Sequence, residues 1–188
     1  MSLPAEPRNW TREGYLISTD KSLLSLSRIN AVFDQDFMYW TSAYPEDVLQ
    51  RMIESSFCFG LYKNASADPS KSDIHVAAMS NVPGALTKPW KLEQVGFARL
   101  VTDNVTFAYL TDLFVLPECQ GLGLGGWLID CLDELIDPLP HLRWFMLRTS
   151  MPKSARSYES RLGMQILDTV DMSKGAVMMG KKGKANKA

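Results

Sequence analysis

The stretch Leu113-Phe114-Val115-Leu116-Pro117-Glu118-Cys119-Gln120-Gly121-Leu122-Gly123-Leu124-Gly125-Gly126 decides the fold. It opens as an apolar strand, breaks at Pro117 and then crowds four glycines into six positions. Trp127, Leu128, Cys131, Leu132, Leu135 and Ile136 follow at the three-to-four spacing of a helix with one apolar stripe. Asp137-Pro138 ends it. Glycines let the backbone turn tightly and bring its N–H groups close to a partner without a Cβ in the way. Ahead of a helix, such amides and the positive end of the dipole make a site for a phosphate-type anion. The helix carries Asp130, Asp133, Glu134 and Asp137, so the expected site rests on backbone rather than on basic side chains. A plain strand-to-helix crossing needs fewer glycines than this.

Working outward, residues 94–101 and 107–116 read as consecutive strands joined by Thr102-Asp103-Asn104, a turn-forming run. Residues 142–147 form a further strand, 154–162 a helix with Gly163 as a left-handed cap, and 164–167 and 176–179 two last strands. On the N-terminal side, 15–18 is a short strand, and Thr19 or Asp20 caps a helix carrying Leu23, Leu26, Ile29 or Asn30, and Phe33. Pro45, Glu46 and Asp47 suit the first turn of a second helix, and the run 57–62 is rich in strand formers. Residues 64–93 read as a loop insertion in which 74–79 form an extra strand, and 181–188 as a flexible basic tail. Consecutive strands in the middle of the chain predict an α+β fold, a mixed and mostly antiparallel sheet of six to seven strands with about four helices. The whole of 1–188 is expected to be a single domain.

Composition excludes several classes. The chain has 46% hydrophobic and 22% charged residues, ordinary for a globular protein. A formal net charge of -1 supplies no field for nucleic acid or anionic lipid. The odd set Cys58, Cys119 and Cys131 lacks paired spacing, and His75 and His141 stand alone, so neither a disulfide framework nor a metal site is expected. No run approaches the length of a membrane span, and the expected location is the cytoplasm. Exposed edge strands at the C-terminus leave room for a homodimer.

Gly121, Gly123 and Gly126 also satisfy G-x-G-x-x-G, which would make the chain an NAD(P)-binding oxidoreductase. That fingerprint wants its first glycine at the strand end, whereas Pro117-Glu118-Cys119-Gln120 intervene here. The next strand ends in Leu147-Arg148-Thr149, without a ribose-binding carboxylate. No Lys-Ser or Lys-Thr follows the glycines, so a Walker loop fails too.

The run from Leu113 to Gly125 resembles the signature of the GNAT acyltransferase superfamily. In that pattern a strand ending in Val precedes Pro-Glu, then Arg or Gln, two residues, Gly, one residue, and Gly or Ala. Gln120, Gly123 and Gly125 fall on its three marked positions, and Ala155, Leu162, Gly163 and Met164 resemble its C-terminal segment. The resemblance implies an acetyl-CoA-dependent N-acetyltransferase that moves the acetyl group directly to an amine within a ternary complex. It implies that Leu113, Phe114 and Val115 pair with pantetheine, and that Gln120, Gly121, Leu122, Gly123, Leu124, Gly125 and Gly126 hold the pyrophosphate. A non-catalytic, CoA-binding regulator of the same fold is the other reading that the resemblance allows.

The reaction needs a base for the ammonium and an acid for the leaving thiolate. Asp112 is the candidate base, because a carboxylate inside a central strand is costly unless it has a task or a partner. The alternative is that it pairs with Arg99 on the adjacent strand. The family's acid is a tyrosine four positions before the glycine of the C-terminal segment. Counting back from Gly163, that position holds Glu159, with Tyr158 beside it, and both are candidates. The acceptor, a small molecule or a peptide amine, is expected near the aromatic linker after the first helix. Tyr39 and Trp40 are its candidate binding residues, with Phe37 and Tyr44 nearby.

Overall fold

The computed structural model describes residues 1–64, 91–167, 173 and 177–184. The strands are β1 (Asn9–Arg12), β2 (Tyr15–Ser18), β3 (Phe57–Asn64), β4 (Leu92–Thr102), β5 (Phe107–Val115), β6 (Trp144–Thr149), β7 (Gln165–Ile166) and β8 (Val177–Lys182). The helices are α1 (Leu26–Phe33), α2 (Glu46–Glu54), α3 (Leu124–Ile136) and α4 (Pro152–Leu162). All eight strands join one sheet in the order β1-β2-β3-β4-β5-β6-β8-β7. Every neighbouring pair is antiparallel except β5 and β6, which are parallel with α3 on the crossover between them. The fold is the expected mixed α+β type.

Among the described residues eight strands stand where six to seven are expected, and the extra one is β1. Its sequence Asn-Trp-Thr-Arg has no apolar alternation, and three of its four residues are exposed. It is held as a hairpin partner of β2 through Glu13 and Gly14, which both take positive φ, the geometry that matches strand twist in a two-residue turn. The helix expected after Thr19 or Asp20 is in two pieces. Asp20 caps a 3-10 turn (Lys21–Leu23), and Ser25 caps α1 by accepting from the amide of Arg28 at 3.3 Å. α4 starts at Pro152, and β8 runs on to Lys182, so the first two lysines of the basic tail belong to the sheet. Lys181 Nζ donates to Asp137 at 2.7 Å. The expected strand over 74–79, His75 and residues 185–188 lie outside the described residues.

The helices divide between the two faces of the sheet. On one face Ile29, Phe33, Leu49 and Ile53 of α1 and α2 pack on Cys58, Phe97 and Phe114. On the other, α3 and α4 bury Leu128, Leu132, Ala155 and Leu162 against Phe59, Leu100, Leu110, Phe145 and Leu147. Cys58, Cys119 and Cys131 are all buried and unbridged, and burial pushes the thiols of Cys58 and Cys131 up to about 12. Among the described residues no helix is long and apolar enough to cross a membrane.

Leu128 is fully buried where α3 meets the sheet. Leu128→Ala is expected to lower unfolding free energy by about 2–5 kcal/mol in urea denaturation, the range for an aliphatic side chain deleted from a close-packed core.

Candidate active site

The site begins with one surplus residue. Phe114 of β5 faces Phe97 of β4, and Thr111 faces Arg99, so Asp112 and Leu113 together oppose Ala98. This is a β-bulge, and Asp112 takes φ 52 to make it. An extra residue reverses the alternation of a strand. Ala108 and Leu110 point to the α3/α4 core before the bulge; after it, Val115 takes that side and Phe114 enters the α1/α2 core. The strand also leaves its parallel neighbour. β5 pairs with β6 only from Phe107↔Trp144 to Leu110↔Leu147, and beyond Leu110 its edge on that side has no partner strand among the described residues.

The parting strands open a cavity of about 690 Å³, a usual size for a small-molecule site. Its walls are Tyr109 to Leu113 of β5, Leu147 to Met151 at the end of β6, Ser154 and Tyr158 of α4, and Tyr39 and Trp40 of the linker after α1. The two linker rings meet edge to face with centroids 5.0 Å apart. The Tyr39 hydroxyl hydrogen-bonds Ser150 Oγ, which ties the linker to the end of β6. Phe37 instead lines a separate cavity of about 390 Å³, and Tyr44 packs edge-on against Phe33.

Asp112 is 7% exposed and reaches Arg99, whose Nε donates to Oδ2 at 2.7 Å, while Thr111 Oγ1 donates to Oδ1 at 3.1 Å. Arg99 Nη1 donates to Ser56 Oγ at 3.1 Å, and Ser56 in turn donates to the Met52 carbonyl of α2 at 2.7 Å. The ion pair weighed from sequence is therefore present, and Asp112 still borders the cavity. The two candidates for the acid separate cleanly. Tyr158 is 9% exposed and lines the cavity, whereas Glu159 is exposed and does not. Burial raises the Tyr158 phenol to about 12.

The glycine loop leaves the same strand. Gln120 Nε2 donates to the Val115 carbonyl at 2.9 Å and closes the turn. Gly121 (φ 82) and Gly123 (φ 74) take left-handed conformations that a side chain would strain. α3 starts at Leu124, three residues before the apolar stripe that marks it in the sequence, with Gly123 as N-cap and no side-chain cap. The amides of residues 121–126 have no hydrogen-bond acceptor among the described residues, and 121–123 are exposed. The loop is not purely backbone, which corrects the sequence expectation. A Cβ on Gly126 would lie 2.7 Å from Arg161 Nη2, so a guanidinium from α4 sits against the loop. Its Nη1 donates to both oxygens of Asp130 at 2.6 Å. Nothing near Arg161 in the sequence signals this contact, which depends on how α3 and α4 pack. Ser56, which links the Arg99–Asp112 pair to α2, has no signal in the sequence either.

Breaking a buried ion pair by removing one partner leaves an uncompensated charge. Arg99→Met is therefore expected to destabilise the fold by about 3–5 kcal/mol in urea denaturation, and Arg99→Met with Asp112→Asn by clearly less.

The sequence model of the acetyltransferase (GNAT) family matches residues 40–164. The protein FG08082 of Gibberella zeae, provisionally named an acetyltransferase, is 39% identical over 170 residues, covering 90% of each chain. A crystal structure from Xanthomonas campestris pv. campestris, of a GNAT-family protein also provisionally named an acetyltransferase, is 30% identical with a TM-score of 0.58. The match covers 82% of this chain and 87% of that one. Spermidine N-acetyltransferase from Vibrio cholerae, solved with CoA and spermine, superposes with a TM-score of 0.60 over 92% of this chain and 97% of that one. At 13% identity that likeness is one of fold alone. The family match spans the bulged strand, the glycine loop and all of α4, and with a relative 39% identical over nine-tenths of the chain it shows that this protein belongs to the GNAT acetyltransferase family.

Proposed function

We propose that the protein transfers an acetyl group from acetyl-CoA directly to the amine of a small molecule or peptide, with donor and acceptor bound together in the cleft between β5 and β6. The observation that carries this reading is the pairing, among the described residues, of six unpartnered amides at an uncapped helix start with an unpaired strand edge on the strand that leads into them. Residues 121–126 would hold the pyrophosphate through those amides and the positive end of the α3 dipole, with Gln120 keeping the turn closed. Leu113, Phe114 and Val115 would offer backbone groups to pantetheine, and amides on that edge are suited to stabilise charge developing on the thioester oxygen. Acetyl-CoA itself supplies an activated acyl group on a good leaving thiolate.

The protein's own groups then have two proton tasks. Tyr158, a phenol that is protonated through the neutral range and that burial raises further to about 12, can deliver a proton to the departing sulfur. Asp112 accepts one hydrogen bond on each oxygen, and a carboxylate has about four lone-pair sites, so it can still take a proton from the acceptor through a water in the cavity it borders. Its bond to Arg99 gives it a second task, holding the bulge. Tyr39 and Trp40 would face the acceptor.

Calorimetric titration with acetyl-CoA, followed by thiol detection across a broad amine panel, tests the reading. Tighter binding of NADH would return the oxidoreductase alternative. Acetyl-CoA binding with no thiol release from any amine would mark a regulator. Gly123→Val is expected to weaken acetyl-CoA binding by about ten-fold or more, since it strains a left-handed residue and fills the space the anion needs; unchanged affinity would refute the pyrophosphate placement. Tyr158→Phe is expected to lower kcat by about 10²-fold or more, the usual scale of general acid catalysis, while Glu159→Gln leaves it unchanged. An undiminished kcat in Tyr158→Phe would remove that residue from the mechanism.

A further inference from the structure

The acceptor can be narrowed by the charge of its pocket. On β6, Phe145 and Leu147 turn under α3 and α4, so strand alternation puts Arg148 on the opposite face. On β5, Ala108 and Leu110 fill the same core, which leaves Tyr109 and Thr111 on the face that Arg148 shares. Tyr39 and Trp40 close the cavity from that side, fixed to the end of β6 by the Tyr39–Ser150 hydrogen bond. Both rings stay largely exposed although they line a cavity, as does Arg148.

Arg148 differs from Arg99, which lies behind the cavity wall, in that its side chain has no partner among the described residues. Arg99 is committed to Asp112, and elsewhere Arg28, Arg51 and Arg161 each hold a carboxylate. The Arg148 side chain has neither an ion pair nor a hydrogen bond among the described residues, yet it lines the cavity. Among the described residues Asp112 is the one carboxylate in the wall, and Arg99 already compensates it. The charge left over in the cavity is therefore positive. A polyamine would meet an unopposed guanidinium there, and repulsion of that kind is how a pocket rejects a wrong partner. A carboxylate would find a planar fork of donors that can bind both its oxygens. The two aromatic rings offer a flat apolar surface to the rest of the molecule.

We propose that the acceptor is an amine that also bears a carboxylate or a similar anionic group, joined to an aromatic or aliphatic body. Its anion binds Arg148, its body rests on Tyr39 and Trp40, and its amine is directed to the donor side of the cleft. This assignment rests on the acetyl-transfer reading of the same cleft.

The test uses the full chain and acetyl-CoA. Thiol release is measured with aromatic and aliphatic α- and β-amino acids, with the amide and the decarboxylated amine of each, and with spermidine. Wild-type kcat/KM is expected to be about ten-fold or more higher for the best amino acid than for its amide or decarboxylated amine, the scale of one charge-assisted hydrogen bond. In Arg148→Gln the ratio between acid and amide falls toward unity, and in Arg148→Glu it inverts. Calorimetry of acetyl-CoA with each variant serves as the control for folding. Equal or better turnover of spermidine or of the neutralised amines by the wild type would overturn the acceptor assignment and leave the transferase reading standing. So would an equal loss across all acceptors in Arg148→Gln, or acetyl-CoA binding without turnover of any amino acid. Failure of the wild type to bind acetyl-CoA would overturn both.

Discussion

The bulge at Asp112 and Leu113, clamped by the Arg99 guanidinium, is the constraint on which the rest of the cleft depends. A regular β5 would continue its parallel pairing with β6 and close the sheet, and its alternation would send Phe114 to the wrong core. The left-handed backbone at Asp112 costs something of order 1 kcal/mol or more for a residue with a side chain. The charged hydrogen bond to Arg99 offsets that cost, and the chain of contacts through Ser56 to the Met52 carbonyl anchors it in α2. Opening of the cleft is thus tied to the packing of the opposite helical layer. A carboxylate that could serve chemistry is also part of the scaffold.

The cleft is built from pieces that would be unsatisfactory anywhere else. An uncapped helix start leaves amides without acceptors, and a strand edge inside a sheet leaves a row of donors and acceptors without partners. Both defects sit on one continuous segment, so a single elongated ligand with an anionic end could correct them together. The Arg161–Asp130 pair across α3 and α4 holds a guanidinium against the loop while sharing its charge with a neighbouring carboxylate. On the other side of the sheet, Arg148 has no such neighbour among the described residues.

What could be read from the sequence was whatever its signal keeps local. The stripe of α3, the strand before it and the glycine cluster each lie within one window, and together they foretell the element order and the family. β1 escaped because a polar edge strand has no alternation to detect. The bulge escaped because one surplus residue in an apolar run leaves no mark, and only the buried carboxylate hinted at it. Arg161 reaches Gly126 through the packing of two helices, which no spacing encodes. The ambiguity between Tyr158 and Glu159 is instructive, since counting from Gly163 favours the exposed residue. The helical phase of Ala155, Tyr158 and Leu162, all three buried, would have chosen the tyrosine.

The burial of all three cysteines has a consequence for chemistry that generates a thiol. A thiolate is the species that exchanges with disulfides, and the sulfurs of Cys58 and Cys131 are held in the neutral form well above physiological pH, while Cys119 is shut in beneath the glycine loop. If the proposed reaction releases free coenzyme A, the folded protein presents no sulfur with which that product or its oxidised dimer could form a mixed disulfide. The catalyst is in this sense insulated from its own product, and a thiol-reactive dye added to the intact protein reports the sulfur set free by turnover rather than the protein's own.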